Sequence, residues 1–478
     1  MNFNNVFSIL GKVLLILAGV QLIPLLVAVY YQEPLLPFFV SMFAAAVIGF
    51  MLNHFSKPNN DEWVIRESYA VIAFSWFFCA IFCAIPFLFE GLSPINAFFE
   101  SMSGITTTGA TILTDIESYS RSLLFWRSFT QWLGGLGIIA LFIAVIPKVN
   151  MRGRQLYKTE FSGPTEDKIS PKISNTAKIL WGLYIGLTVI LVVLLLVMKM
   201  SFYDALVHSF STMASGGFSP YNSSIIIFSN HKIEIVLTIF MLIAGTNFAL
   251  IHKALTKNVK SLIRDEEFKA YILFFAIIVG FLSILLIRDM DYGILESFRY
   301  ASFQIASLMT TTGFSSIDYN LWGDSAKMIL LLAMFTGACS GSTAGGPTIV
   351  RWLIFVRHAR RDIFKVLHPS AVKPIKYNGK SLSEDVVHSV LSFMVLYLFV
   401  FIISSVLLSI LGLDIVTSVT SSITTLGNVG PSFGMIGPLD NFSVLPPLSR
   451  IILIANMWIG RMELYTVLLL FTSEFWKR

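Results

Sequence analysis

The sequence predicts an all-α polytopic membrane protein. Four pseudo-symmetric helix–pore loop–helix repeats surround a central pore, and two extra N-terminal transmembrane helices precede them. Composition is the first observation behind this fold class. The 478 residues are 55% hydrophobic and only 13% charged, whereas soluble proteins carry about 25% charged residues. The second observation is internal repetition, because four similar semi-polar segments recur at intervals of about one hundred residues.

The two N-terminal helices come from the first apolar runs. Residues 13–31 and 36–55 are almost entirely apolar, and about twenty such residues cross a bilayer as a helix. We therefore assign residues 1–58 to two transmembrane helices outside the repeats. The start of the chain lacks the basic segment of a cleavable signal, so we expect no signal peptide. The three cysteines lie in apolar or Gly/Ser stretches and predict no disulfide framework.

Lysine and arginine concentrate in three connections, at residues 148–178, 253–269 and 351–380. Positively charged loops stay on the cytoplasmic side of a membrane. We therefore expect all three connections, and the N-terminus, to face the cytoplasm. The formal net charge of +6 is explained by this orientation and would suit an acidic cytosolic partner. Nucleic-acid binding is not needed to explain it.

Between the basic connections, the chain makes four excursions of one design: a spanning helix, a shorter semi-polar segment and a second spanning helix. The repeats are assigned to residues 59–150, 151–258, 259–370 and 371–478. The semi-polar segments are INAFFESMSGITTTGA, FYDALVHSFSTMASGGFS, ESFRYASFQIASLMTTTGFS and IVTSVTSSITTLGNVGPSFG. Each has about three helical turns followed by a glycine, and the four glycines taken as equivalent are Gly109, Gly216, Gly313 and Gly430.

A half-helix that enters the membrane and returns as extended backbone explains this pattern. Non-helical backbone survives at membrane depth only when it is buried in protein or lines water. Four such strands would present carbonyl oxygens that replace the hydration shell of a monovalent cation. The helix C-termini would favour a positive charge. The alternative, a Thr-Gly helix end in an external loop, is disfavoured because the pattern occurs four times.

Seven motifs resemble those of the Trk/Ktr superfamily of bacterial potassium transporters, and within it the TrkH-type membrane subunits. They are ITTTGA at 105–110, RSFTQWLGGLGI at 127–138, ASGGFS at 214–219, MTTTGFS at 309–315, GACSGSTAGG at 337–346, GNVGPSFG at 427–434 and GRMELYTVLLLF at 460–471. The resemblance covers nearly the whole chain. It implies potassium uptake, with K⁺ as the transported ion and no bound cofactor.

The resemblance implies a potassium filter built from the residues that end at each glycine. Those residues are Thr107, Thr108 and Gly109; Ala214, Ser215 and Gly216; Thr311, Thr312 and Gly313; and Asn428, Val429 and Gly430. In the fourth strand, Gly427 offers a rival alignment. Sodium-carrying relatives have serine at the first-strand glycine, so Gly109 favours potassium.

A stretch rich in glycine interrupts the second helix of the third repeat, at residues 337–347. Gly and Pro weaken helices, so we expect a helix, a loop and a second helix; a kink or close helix packing through small residues is the alternative. The resemblance implies that this loop is an intramembrane gate beneath the filter. Its candidate residues are Gly337, Gly341, Ser342, Thr343, Gly345 and Gly346, next to Pro347.

Arg461 lies in the middle of the last apolar stretch. A charge at that depth is costly and usually marks a pathway or an ion pair. An ion pair with Glu463, or snorkelling, would explain it structurally. The sharper hypothesis, which the resemblance supports, places the guanidinium near the pore axis beneath the filter as an electrostatic barrier to cations.

Further polar residues have more ordinary interpretations. We expect Arg127 and Gln131 to support the outer part of the filter rather than to contact ions. Asp204, Glu296 and Asp414 each begin a pore-helix segment. A carboxylate there suits the positive helix terminus, although it could also attract cations to the pore mouth.

Other functions fit the sequence poorly. GLGIIA at 135–140 formally matches a dinucleotide fingerprint, but it lies in an apolar run without a βαβ context. GSTAGG lacks the lysine of a phosphate-binding loop. We therefore expect a transport protein and no enzyme. A sodium- or proton-coupled potassium symporter is the alternative to a gated channel.

The resemblance also implies partners and a location. TrkH-type subunits act as homodimers with TrkA, a cytosolic nucleotide-binding subunit, in the bacterial inner membrane. We expect TrkA to dock on the three basic connections.

Overall fold

The computed structural model describes residues 1, 3–56, 65–135, 137 and 173–477. Most of the first basic connection lies outside these residues, as do the proposed boundaries near residues 58 and 150. The boundaries near residues 258 and 370 fall in non-helical connections. The division of the chain into repeats stays a prediction.

Two N-terminal spans precede the first repeat, as predicted. Helices α1 (Phe3–Val20) and α2 (Leu22–Tyr31) form one span of 29 residues, and α3 (Leu36–Phe55) forms the next. Helices α1 and α3 approach closely because neither Gly11 nor Gly49 has a side chain at their crossing. Glu33 follows α2 in the chain, and its carboxylate accepts hydrogen bonds from the backbone N–H groups of Arg121 and Ser122, at 2.7 and 2.8 Å.

Each excursion contains a long first helix and a short pore helix. Among the described residues, six helices are long and apolar enough to cross a membrane, or up to eight if each bent pair is one span. The long first helices are α4 (Ile65–Phe89), α7 (Ile173–Val197), α12 (Glu266–Met290) and α16 (Glu384–Ile410). The pore helices are α5 (Pro94–Ile105), α8 (Phe202–Met213), α13 (Ile294–Met309) and α17 (Ile415–Leu426).

The pore helices begin as their sequences suggest. Asp414 caps α17 by accepting a hydrogen bond from the Thr417 N–H at 3.0 Å. In α8, Ser201 is the cap and Asp204 lies in the first turn, where its carboxylate accepts a hydrogen bond from the Ser201 hydroxyl at 2.7 Å. Glu296 lies in the first turn of α13 without capping it. These carboxylates therefore occupy the positive ends of the pore helices.

The second helices differ from the prediction, since a break was expected in the third repeat alone. Helix α6 (Arg121–Gly135) belongs to the first repeat. In the second repeat, α9 (His231–Ala244) and α10 (Phe248–Thr256) meet at 99°. In the fourth, α18 (Pro447–Arg461) bends by 115° into the segment that starts with α19 (Tyr465–Leu468). The third repeat has α14 (Asp324–Thr336) and α15 (Ile349–Leu367) around the expected loop.

The smaller elements lie in the connections. A two-stranded hairpin, Lys376–Tyr377 with Lys380–Ser381, is an addition to the predicted all-α fold. Two short helices, α11 (Lys260–Arg264) and α20 (Ser473–Trp476), complete the α-helices of the described residues. The 3₁₀ turns are Ile116–Ser118, Ser224–Phe228, Tyr319–Leu321, Gly434–Ile436, Phe442–Val444 and Leu469–Phe471.

Substitution of Gly11 by alanine should destabilise the N-terminal helix pair. A Cβ at Gly11 would lie 2.6 Å from the Gly49 carbonyl oxygen, and overpacking of this kind costs about 1–3 kcal/mol. Gly19, on the same helix, has open space around it. Thermal unfolding of the purified protein should therefore show a lower Tm for Gly11→Ala and an unchanged or higher Tm for Gly19→Ala. Equal Tm values for the two variants would contradict the packing described for α1 and α3.

Candidate ion pathway

The chain reverses in the same way after each of the four pore helices. The second residue after each pore helix takes left-handed backbone angles, with φ between 54° and 57°. These residues are Thr107, Ser215, Thr311 and Asn428. The following N–H group then donates a hydrogen bond to the carbonyl five residues earlier, at 2.7–2.9 Å in all four repeats. A bond of this kind closes a Schellman motif, which ends a helix sharply. The four semi-polar segments therefore share one backbone geometry.

The four equivalent glycines are Gly109, Gly217, Gly313 and Gly430, with φ between 72° and 100°. The assignment of Gly216 as the second-strand glycine was wrong. Gly216 takes the place of Thr108 and Thr312, and Ala214 belongs to the end of its pore helix. Two adjacent glycines made the register ambiguous, and the positive φ at Gly217 resolves it. In the fourth repeat, Gly427 caps α17 in a right-handed conformation, so Gly430 is the equivalent residue.

The four strands form a closed ring in chain order. A Cβ on Gly109 would collide with the carbonyl oxygen of Gly216, and one on Gly217 with that of Thr312. A Cβ on Gly313 would collide with the carbonyl oxygen of Val429, and one on Gly430 with that of Thr108. Each glycine therefore lies against the equivalent carbonyl of the next strand, and the fourth strand meets the first. Only residues without side chains allow an approach this close.

A polar cavity opens on one side of this ring. All four glycines line it, together with Asp440, Tyr221 and neighbouring residues of the segments that follow the strands. The empty space there is about 620 Å³ and includes open solvent. Because all four glycines line it, we call this cavity the vestibule of the ring.

Buried side chains support the first two strands of the ring. Arg127 and Glu100 form an ion pair of 2.8 Å and are 1% and 0% exposed. The guanidinium also donates to the Ser219 carbonyl and to the Thr111 hydroxyl, both at 3.1 Å. Gln131 donates to the Gly216 carbonyl at 2.6 Å and accepts from the Phe218 N–H at 3.1 Å. These contacts agree with the structural role expected of Arg127 and Gln131.

The glycine-rich loop between α14 and α15 contacts the ends of three strands. The Thr343 and Ser215 hydroxyls are 2.8 Å apart, and the Gly345 N–H donates to the Thr311 hydroxyl at 2.9 Å. A Cβ on Gly345 would lie 2.5 Å from the Gly427 carbonyl oxygen. Three other residues of the loop, Gly337, Gly341 and Gly346, have positive φ. The loop, residues 337–348, therefore lies directly against the ring on the side of the pore-helix ends.

Arg461 joins this loop to the first repeat. It is the last residue of α18 and lies at the break between the two segments of this bent span. Its guanidinium donates to the Thr343 carbonyl at 2.9 Å, and to the carbonyls of Gly134 and Gly135 at 2.7 and 3.0 Å. Glu463, the ion-pair partner considered for it, binds Arg351 at 2.7 Å. A cavity beside the loop is lined by Arg461, Gly135, Gly341, Ser342 and other small residues.

Sequence reasoning missed two residues of the site, and it missed the side-chain contacts of Asn428, which it had named only as a filter residue. Asn428 donates to the Thr108 hydroxyl at 2.9 Å and to the Met457 carbonyl at 3.0 Å, and so joins the fourth strand to the first. Asn247 and Glu267 hydrogen-bond to the glycine-rich loop. The Gly-Thr-Asn sequence within an apolar run was a usable signal for Asn247. Glu267 resembled an ordinary acidic residue in a first helical turn.

Comparison with known proteins identifies the family. The model of the TrkH family, described as cation transport protein, matches residues 37–478. The chain belongs to the TrkH family. The Trk system potassium uptake protein TrkH of Escherichia coli (strain K12) is 36% identical over 484 residues, which cover 100% of each chain. TrkG of the same strain, also a Trk system potassium uptake protein, is 32% identical over 95% of this chain and 94% of its own.

A solved structure has the same fold. The crystal structure of the potassium transporter TrkH from Vibrio parahaemolyticus has a TM-score of 0.89 and 31% sequence identity, and covers 100% of both chains. The predicted TrkH-type fold is therefore confirmed, as is the resemblance to the Trk/Ktr superfamily. Family membership and the apolar helices also confirm a multi-pass membrane protein of a transport family rather than an enzyme.

Loss of the Glu100 carboxylate should destabilise the protein strongly. Arg127 would remain buried without its counter-ion, and breaking a buried pair in this way costs about 3–5 kcal/mol. Glu90 is a control from the same repeat, because it is half-buried and accepts one hydrogen bond from Ser120. Denaturant titration should show a large loss for Glu100→Ala and a small one for Glu90→Ala. Equal losses would mean that the buried pair does not support the strands.

Proposed function

We propose that this protein takes up potassium through a selectivity filter formed by the four-stranded ring. The closed contact of each strand glycine with the next strand's carbonyl carries this proposal, because four backbone segments then face one centre. Its relatives in Escherichia coli are named potassium uptake proteins. Potassium is thus the ion that we assign to the ring.

Backbone carbonyls would replace the water around the ion. After the register correction, the filter strands comprise residues 107–109, 215–217, 311–313 and 428–430. Carbonyl rings of this kind suit a monovalent cation, and the C-terminal ends of the four pore helices add negative potential. The hydroxyls of Thr106 and Thr108 lie 2.8 Å apart, as do those of Thr310 and Thr312, which ties these side chains to one another.

The glycine-rich loop and Arg461 would control passage beyond the filter. The loop contacts strands two, three and four, and Arg461 holds its Thr343 carbonyl against the first repeat. A fixed guanidinium beside the path repels cations, and the loop obstructs the path sterically. The structure therefore suits a closed state that opens when the loop moves.

Reversal potentials test the filter and separate a channel from a coupled symporter. Purified protein in liposomes should reverse at the potassium equilibrium potential, whereas coupling to sodium or protons would shift the value. Gly109→Ser should lower the preference for potassium over sodium by about tenfold, because loss of about 1.4 kcal/mol of ion binding has that effect. Gly91→Ser is the control, since Gly91 also has positive φ but lies in open space. An unchanged preference in Gly109→Ser would reject the filter assignment.

Replacement of Arg461 by alanine should raise the basal ion flux by about tenfold, the effect of removing about 1.4 kcal/mol from a barrier. The variant loses the positive charge and the three hydrogen bonds to the loop and α6. Arg450→Ala is the matched control, because Arg450 lies at the other end of α18 and binds Asn96 and Ser443. Flux through the purified protein, measured without any partner, decides the outcome. Basal flux that stays at the wild-type level would exclude the gate role.

We assign the protein to the bacterial inner membrane, with its N-terminus in the cytoplasm, where a homodimer binds a TrkA-type nucleotide-binding subunit. The predicted docking surface is narrower than the basic connections suggested. Arg351 and Arg361 are buried and paired with Glu463 and Glu384. The exposed cations of the described parts of the connections are Lys178, Lys253, Lys257, Lys260, Arg264, Lys269, Arg360, Lys373, Lys376 and Lys380.

Cross-linking with TrkA should therefore map to the exposed cations. Photoreactive groups at positions 257 and 360 should capture the subunit, because both side chains are exposed and basic. A group at position 232 is the control, since Lys232 is exposed at the other end of α9. Capture at 232 alone, or at none of the three, would exclude this docking surface.

A further inference from the structure

The break between α9 and α10 is also the place where the glycine-rich loop is anchored. The Cys339 N–H donates to the Gly245 carbonyl at 2.9 Å, and the Thr343 N–H donates to the Ala244 carbonyl at 3.3 Å. From the other side, the Phe248 N–H donates to the Gly341 carbonyl at 3.0 Å. The backbone groups that the helix break leaves without helical partners therefore form hydrogen bonds with the loop.

Asn247 adds a side-chain connection with two separate roles. Its Oδ1 accepts a hydrogen bond from the Leu250 N–H at 3.0 Å and so caps α10. Its Nδ2 donates to the Ser340 carbonyl of the loop at 2.7 Å. A single amide therefore joins the first turn of α10 to the loop, and its two groups can be changed separately.

Helix α10 reaches from this anchor to an exposed basic surface. Leu250 and Ala254 are buried, whereas Lys253 and Lys257 are exposed, and the helix also contacts α7. The helix leaves the direction of α9 at 99°. A force applied to its exposed cations would therefore act on Asn247 at the other end, less than four turns away.

We propose that α10 is a lever for the gate and that Asn247 is the positioning residue that transmits its displacement to the glycine-rich loop. This inference rests on the proposed function, because it concerns the regulation of the same loop. A partner that binds the exposed cations and pulls α10 would move the loop without contacting it. Glu267 also holds the loop, because its carboxylate accepts from the Ser340 N–H at 2.7 Å and from the Val350 N–H, in the first turn of α15, at 3.2 Å.

The native cysteines report the position of the loop directly. Cys339 lies in the loop and is buried, and Cys79 and Cys83 are buried in α4. Alkylation by N-ethylmaleimide, followed by mass spectrometry of each cysteine, reads loop exposure in the full-length protein without measuring ion flux. A failure of the potassium assignment would therefore leave this measurement valid.

Two substitutions at Asn247 should release the loop while the helix cap is kept. Asn247→Asp retains an acceptor for Leu250 but cannot donate to Ser340, and Asn247→Ser is a neutral capping residue with a shorter side chain. Both variants should accelerate alkylation of Cys339 by about tenfold, the scale set by one lost hydrogen bond, with no change at Cys79 or Cys83. Asn230→Asp is the control, because Asn230 caps α9 at its far end.

An unchanged rate at Cys339 in both variants would overturn the proposal. An equal rise at all three cysteines would also overturn it, since the variants would then loosen the whole fold.

The lever itself is tested by a double-mutant cycle. Ala254→Trp should displace α10, because Ala254 is buried, and should accelerate Cys339 alkylation, whereas Leu255→Trp, at a position with 69% exposure, should not. If Asn247 transmits the push, Ala254→Trp should have no further effect in the Asn247→Ser background, because coupled residues are not additive. Independent, multiplying effects of the two substitutions, or no effect of Ala254→Trp alone, would overturn the lever.

Discussion

The structure depends on the contact between a glycine of one strand and a carbonyl oxygen of the next, made four times around a closed ring. A side chain at any of these glycines would open the ring, because the Cβ would occupy the space of the oxygen. The contact also fixes the register of the strands, since each glycine follows a left-handed residue by two positions. Pore helices, vestibule and loop all take their places from this ring.

The backbone of the ring has nearly four-fold symmetry, but the side chains that support its four strands differ. Strands one and two rest on the buried Glu100–Arg127 pair and on Gln131, whereas strand four is joined to strand one by Asn428. The glycine-rich loop contacts Ser215 and Thr311 directly. Movement of the loop would therefore act unequally on the strands, so the proposed gate and the proposed filter would be linked through particular side chains.

Long apolar runs and four semi-polar segments that each end in glycine were enough to predict the helices, the re-entrant segments and the two extra N-terminal spans. The register of the second strand was not predictable, because Gly216 and Gly217 are chemically identical and only their backbone angles distinguish them. The breaks near Asn247 and Arg461 were missed because hydropathy does not register a bend that is stabilised by distant carbonyls. The contacts of Glu267 are likewise invisible until the loop is placed beside α12.

In the proposed filter, four main-chain strands dehydrate one cation at their common centre. Anomalous diffraction from crystals grown with Tl⁺, a heavy substitute for K⁺, can locate that cation. Anomalous peaks should lie in a line through the ring, in direct contact with the carbonyls of Thr108, Gly216, Thr312 and Val429. Absence of a peak within the ring, with Tl⁺ bound elsewhere in the protein, would rule out dehydration of the cation by these carbonyls.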